Sequence, residues 1–343
     1  MFQCSIYLNW SLFIVFVISS TLTEGSSLKM KDIIKKIRHD LQPIEQVLNE
    51  EQKLSGDLKK YAEFYKFPLR SDVDYKIGRL QSNGFSIALN IMIPQNMQKM
   101  AVVVHGYMEH SGINTKLYDI LLKNNIGVIA YDMPGHGLSS GPRASIDVFS
   151  TYAKVFKNVK LFAGKYFKNY ELAFIAHSTG CAVILEYLSL KRDIDDTSII
   201  LVSPLVRSLH FLLSKYAYDI SKSFLNRIIR KEGAISHDEN FHHFMRKLEP
   251  MREEYVPMQW IKALYEWNNT VESWDKRDVK LNVITGTDDR VVDWKWNIMF
   301  LKDKFPDSNI IQIKNGRHAL LNESLEYRRQ VFSAIVAYIE DPR

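Results

Sequence analysis

The 343-residue chain is 46% hydrophobic and 24% charged, with a formal net charge of +6 at pH 7. That is an ordinary globular composition with ample length for a core. With only two cysteines, Cys4 and Cys181, it excludes a disulfide framework and a cysteine-held metal site.

The modest positive charge reads as a solvated basic surface, with attraction to anionic lipid as the functional alternative. No recognition motif or dense basic stripe supports nucleic-acid binding.

From Phe2 to Thr23 the chain carries no charge, and Leu12 to Ile18 is a compact apolar centre followed by small and polar residues. This predicts a secretory signal peptide over 1–25, or an N-terminal anchor, because the basic residues follow the apolar run instead of preceding it. The expected localisation is export (periplasmic or secreted) or membrane association through this segment. Residues 26–70 show helical spacing at Ile33, Ile34, Ile37, Leu41, Ile44, Val47 and Leu48, broken by Pro43. They predict a helical prefix packed on the body.

The pattern then changes. Tyr75–Gln81 and Phe85–Pro94 read as strands about the turn Ser82-Asn83-Gly84. Short apolar runs at Met100–Val104, Ile126–Tyr131, Leu172–Ala176, Ser198–Val202, Val279–Thr285 and Asn309–Ile313 alternate with helical segments near 114–124, 147–168, 181–190, 294–304 and 325–339. Such alternation predicts a parallel sheet covered on both faces, with ligands at the carboxyl ends of its strands. The stretch 206–275 interrupts the rhythm with a helical pattern rich in aromatic and basic residues. It predicts a helical cap inserted between core segments 71–205 and 276–343. No repeat or low-complexity block occurs.

The unusual residues sit where strands end. Ala176-His177-Ser178-Thr179-Gly180 lies between a strand and a helix. A sharp turn there exposes a serine hydroxyl and demands small residues two before and two after it. His105-Gly106-Tyr107 follows an earlier strand, so the backbone N–H groups of Tyr107 and Thr179 are the expected oxyanion donors. The acid and base should follow the serine in that order. Asp289, in Gly286-Thr287-Asp288-Asp289, is the expected acid, with Asp288 the weaker choice, and His318 is the expected base. Asp293 reads as a helix cap, His136 as part of a Gly-flanked turn, and His177 as support for the serine turn. His237, His242 and His243 with Asp238 and Glu239 read as a solvated face and not a metal cluster. No metal or organic cofactor is needed.

HGYMEHSG (105–112), YDMPGHGLSSGPR (131–143), AHSTG (176–180), GTDDRVVD (286–293) and NGRHALLNE (315–323) together resemble the monoacylglycerol lipase and bacterial lysophospholipase branch of the α/β-hydrolases. The resemblance spans residues 75–340, departs at Ala176 and Cys181, and matches poorly in the cap. It implies an α/β-hydrolase fold, with a mostly parallel eight-stranded sheet, helices on both faces and an inserted helical cap. It implies a triad of Ser178, Asp289 and His318, oxyanion donors at Tyr107 and Thr179, and hydrolysis of lysophospholipid or monoacylglycerol. The expected partner is a lipid-like ester, with peripheral contact to an anionic membrane surface. The cap aromatics are expected to bury an acyl chain, and Arg207, Lys215, Lys222, Arg227 and Arg230 to meet a phosphate head group. The rival readings are an aminopeptidase holding an amine at Glu249, Glu253 or Glu254, a small-ester esterase, and a non-catalytic binding protein.

Overall fold

The computed structural model describes residues 27–50, 54–190, 197–230 and 233–341. The expected signal peptide or anchor lies outside the described residues. The expected membrane association through an apolar segment is corrected: among the described residues, no helix is long and apolar enough to cross a membrane.

Helix α1 covers residues 27–40. Helices α2 (Ile44–Asn49) and α3 (Gly56–Phe64) follow. Met30, Ile34, Ile37 and Leu41 repeat at helical spacing and are all buried in the hydrophobic cluster on one face of the sheet. Arg38 reaches past them to donate to the carbonyl of Gly137 at 2.7 Å.

Strands β1 (Val73–Ser82) and β2 (Phe85–Pro94) form a hairpin. Asn83 and Gly84 both take positive φ, 50° and 79°, as a two-residue turn matched to strand twist requires. The chain then alternates: β3 (Lys99–Val104), α4 (Thr115–Lys123), β4 (Ile126–Tyr131), α5 (Ser150–Tyr166), β5 (Glu171–His177), α6 (Thr179–Leu190) and β6 (Ser198–Val202). Helix α7 (Phe211–Ser221), strand β7 (Arg227–Ile229), helix α8 (Glu239–His243), strand β8 (Tyr255–Pro257) and helix α9 (Met258–Val271) come next. Strand β9 (Asn282–Gly286), helix α10 (Trp294–Lys304), strand β10 (Asn309–Ile313) and helix α11 (Leu325–Glu340) close the chain.

Eight strands join in the order β1-β2-β4-β3-β5-β6-β9-β10. β2 pairs antiparallel with both neighbours, and the remaining strands of this sheet, β4, β3, β5, β6, β9 and β10, pair in parallel. β4, β6 and β9 are buried along their whole length; β4 and β6 accordingly read as near-continuous apolar runs, while β9 also buries Asn282 and Thr285. Val102 and Val104 face one layer, with Phe156 and Val183, while Ala101 and Val103 face the other, with Leu117 and Ile335. Registers Val104↔Ala176, His177↔Val202 and Gly286↔Ile313 bring the strand ends to one rim.

Residues 206–275 are not the all-helical segment expected. β7 and β8 pair antiparallel, Ile228 opposite Val256, as a ribbon within it. A three-residue strand is too short to show a period of two, so its signal is lost among helical neighbours. α7 buries none of its residues.

The acid and base loops meet at Gly286, where a Cβ would stand 2.2 Å from the carbonyl oxygen of Gly316. Gly286→Ala must drive these backbones apart. It is expected to lower stability by about 2 kcal/mol, read as a lower urea midpoint at unchanged slope.

Candidate active site

Ser178 stands at the tip of β5 with φ 51°, a left-handed conformation uncommon for a residue with a Cβ. Its backbone is held by its neighbours. Its N–H donates to Val202 O at 3.0 Å, and its carbonyl accepts from Cys181 N at 3.0 Å and Leu205 N at 3.2 Å. The crowding at this turn falls on Gly180, where a Cβ would stand 2.4 Å from Val104 O. It does not fall on Ala176, which is a core residue of β5 and accepts from the Cys181 thiol at 3.2 Å. The extra methyl at 176 therefore packs into the core without opposing the turn.

Three side chains from separate loops meet here. Ser178 Oγ lies 2.9 Å from His318 Nε2, and His318 Nδ1 lies 2.8 Å from Asp289 Oδ2. All three are buried. A carboxylate only accepts, so His318 donates from Nδ1, and the lone pair of Nε2 is left for the serine O–H. Asp289 Oδ1 also accepts from the N–H groups of Val291 at 2.8 Å and Val292 at 3.1 Å. Burial alone would raise the Asp289 carboxyl. The His318 imidazole and these N–H groups outweigh burial and hold it below the usual carboxylate range. Asp288 is partly exposed and pairs with Arg290 at 2.9 Å, outside this relay.

Thr179 opens α6, where a helix leaves its first N–H groups without intrahelical partners. Tyr107 follows β3 and lines the same cavity as Thr179 and Ser178. Neither backbone N–H carries a hydrogen bond to a described residue. The loop bearing Tyr107 is fixed at several points. His105 Nε2 accepts from Met133 N at 2.9 Å, and burial holds this imidazole below its usual pKa. The Tyr107 hydroxyl donates to Ala144 O at 2.7 Å, and its ring stacks on Trp260 of α9 at 3.6 Å between centroids.

A cavity of about 1120 Å³ opens onto Ser178 and His318. Leu225, Ile228, Ile235, Phe241, Met245 and Leu264 contribute its apolar wall from residues 206–275. The aromatics of α7 do not line it. Tyr216 is exposed, as is Phe224 just beyond the helix, and Leu212, Leu213 and Ile220 also face outward. Arg207 is occupied by Glu272 and by the Trp296 ring at 3.7 Å, Lys215 by Asn269, and Lys222 by Asp219. Only Arg227 and Arg230 of the expected basic set line the cavity.

The histidine-rich segment is a solvated face only in part: Glu239 and His243 are exposed, while His242 is buried and His237 and Asp238 are half-buried. Glu323, fully buried, accepts from the N–H groups of His237, Arg317 and Ser324 and faces His237 Nδ1 at 3.0 Å. His242 is buried with Nε2 2.9 Å from Ser236 O, and Asp238 caps α8 and pairs with Lys116 at 3.1 Å. These groups clasp the inserted segment to the His318 loop. Among the described residues, no group of three or more histidine, cysteine or acidic side chains is arranged to hold a metal.

Sequence reasoning missed Glu323 and Glu109, and it placed Trp260 among the cap aromatics without its stacking on Tyr107. Glu109 lies two residues beyond Tyr107, and a carboxylate in a buried strand-end loop was its available signal.

A family model described as serine aminopeptidase, S33, matches residues 95–325. An uncharacterized abhydrolase domain-containing protein of Dictyostelium discoideum is 28% identical over 130 residues, 37% of this chain and 13% of that protein. Two lipase structures share the fold. A soluble variant of monoglyceride lipase from Saccharomyces cerevisiae, in complex with a substrate analogue, matches with a TM-score of 0.66 at 19% identity, over 80% of this chain and 97% of that one. Monoacylglycerol lipase from Paleococcus ferrophilus matches with 0.60 at 18%, over 74% and 98%. Est1E from Butyrivibrio proteoclasticus, with bound ferulic acid, matches with 0.55 at 14%, over 76% and 98%.

The two adjacent aspartates give opposite expectations. Asp289→Asn should cut kcat on ester substrates by about 10⁴-fold, through loss of the required tautomer, while Asp288→Asn should stay within about threefold. Because the native Asp289 pKa is depressed, its stability contribution is present above the unfolded value. The stability gap between wild type and Asp289→Asn should be open at about pH 5 and close as pH falls through the native pKa. Chemical denaturation across acid pH checks this.

Proposed function

The chain belongs to the serine aminopeptidase S33 family of α/β-hydrolases, and from that premise we propose that it hydrolyses single-chain lipid esters, lysophospholipid or monoacylglycerol, through an acyl-enzyme. The carrying observation is the large, mainly apolar cavity that ends at the Ser178 hydroxyl. Such a space suits one acyl chain, each methylene contributing about 0.8 kcal/mol when buried.

In this reading His318 takes the Ser178 proton as the oxygen attacks the ester carbonyl. The N–H groups of Tyr107 and Thr179 hold the oxyanion, each worth roughly a hundredfold or more in rate. His318 returns the proton to the leaving alcohol, with Asp289 steadying the imidazolium. A water then enters by the same route and releases the fatty acid. Among the cap's basic residues, Arg227 and Arg230 line the cavity together with Arg290, which suits an anionic head group. Arg227 lies over the Tyr255 ring at 4.1 Å.

An aminopeptidase needs a carboxylate free to meet the substrate's amine. Glu249 is buried, accepts from the Tyr65 hydroxyl at 2.8 Å and faces His110; Glu253 pairs with Arg143; neither they nor Glu254 line the cavity. The complete hydrogen-bonded relay likewise favours hydrolysis over simple binding.

A substrate panel tests the proposal. Fluorophosphonate labelling should occur in the wild type and vanish in Ser178→Ala. Within the monoacyl series, kcat/KM should rise up to about fourfold per added methylene until the cavity is full. Faster turnover of amino-acid amides than of monoacyl esters would overturn the lipid assignment.

A further inference from the structure

Glu109 and His177 form a buried pair that the mechanism above does not use. His177 Nδ1 lies 3.1 Å from each oxygen of the Glu109 carboxylate. His177 Nε2 lies 3.1 Å from the backbone carbonyl oxygen of His318. Both neighbours can only accept hydrogen bonds. To satisfy both, the ring must donate from both nitrogens, and an imidazole with two N–H groups is a cation. Relative side-chain exposures are 2% for His177 and 11% for Glu109, so each charge is largely withdrawn from bulk water and depends on the other as its counter-charge.

The electrostatics agree with this. Burial by itself would push His177 toward its neutral form, but the facing Glu109 carboxylate outweighs burial and raises the imidazole pKa. Burial would likewise raise Glu109. The His177 cation and the Gly106 N–H outweigh it and hold that carboxyl far below its usual range.

The pair touches three of the loops that form the site. Glu109 Oε2 accepts the N–H of Gly106 at 2.9 Å, one residue before the Tyr107 amide. His177 is the residue before Ser178, and its other N–H grips the carbonyl of the residue that supplies the base. Gly106 is glycine for this reason, since a Cβ would stand 2.9 Å from His177 Nδ1 and 3.2 Å from Glu109 Oε2. We propose that the Glu109–His177 ion pair is the positioning element of the site. It holds the oxyanion loop, the serine turn and the histidine loop in one register, and does so only while His177 carries both ring protons. The proposal rests on the ester-hydrolase reading for its kinetic consequences, not for the charge state itself.

The other groups facing the pair are Asp289, His105, His318 and Asn114. Asp289 favours the second proton on His177. His105 presents a lone pair to Met133 N and is held neutral by burial. The His318 ring lies 5.1 Å from that of His177, and Asn114 Nδ2 approaches Glu109 Oε2 at 3.5 Å. Because the native pKa of His177 is raised, the pair is intact below that value and is lost as pH rises through it.

The experiment is the pH profile of kcat on p-nitrophenyl butyrate, a soluble short-chain ester, for wild type, Glu109→Gln and Glu109→Asp. Glu109→Gln leaves the buried imidazole without its counter-charge. It should lose on the order of 100-fold in kcat with little change in KM, and its alkaline limb should move to lower pH. Glu109→Asp keeps the charge and should return the limb toward the wild-type position. A Glu109→Gln protein that folds and keeps the wild-type kcat and alkaline limb would overturn the proposal. The second measurement needs no variant: nuclear magnetic resonance of the wild type labelled with nitrogen-15 at histidine. At about pH 8, where an unperturbed imidazole is neutral, one ring should retain both N–H protons. If every ring is singly protonated there, the proposal fails, whether or not Glu109→Gln folds. If the wild type cleaves no ester, the functional reading fails while the resonance experiment still decides the charge state.

Discussion

The active centre depends on one close approach, that of Gly180 to the carbonyl of Val104. β3 and β5 are hydrogen-bonded neighbours, and the chain leaves β5 directly into α6. With hydrogen in place of a side chain at 180, α6 can start against the end of β3. The turn between them then has room for one residue, Ser178, in the left-handed conformation. Its hydroxyl is lifted off the sheet, and the first N–H of α6 is left beside it. A methyl at Gly180 would push α6 outward, and the hydroxyl, the N–H and the reach to His318 would be lost together.

Around that point the molecule spends its buried charges in pairs. Asp289 faces His318, Glu109 faces His177, and Glu323 gathers three N–H groups and His237. A buried carboxylate without such partners would be strongly destabilising. Each of these has its partners on a different stretch of chain, so each ties two or more loops. The rim of a parallel sheet is otherwise a set of independent turns, and these contacts convert it into one fixed arrangement.

The inserted residues contribute a wall more than a helical lid. Trp260 stacks on Tyr107, Phe241 and Met245 face the cavity, and the β7–β8 ribbon closes one side. The clasp at 236–242 anchors this wall near His318, whereas α7 turns its apolar side chains outward. The insertion's side of the cavity is thus built from residues scattered along it and not from α7.

The strands and helices of the core, and the tight turn that carries Ser178, were legible because each has a local cause. A strand covered on both faces must be apolar throughout, and a tight strand-to-helix turn must have small residues beside the serine. The family resemblance of the motifs added the expected sheet size and site roles. What the chain order could not decide was anything fixed by charge and packing at a distance. Asp289 and Asp288 are neighbours with the same chemistry, and only the tertiary arrangement points one at His318 and the other at Arg290. The partner of Glu109 is 68 residues away and that of Glu323 is 86. Which aromatics would line the cavity depended on how α7 packs on the body, where Phe211 and Tyr218 meet the distant Tyr265 ring and not the cavity. Local backbone sterics and burial are written residue by residue, whereas electrostatic pairing and cavity walls exist only once distant segments share a place in space.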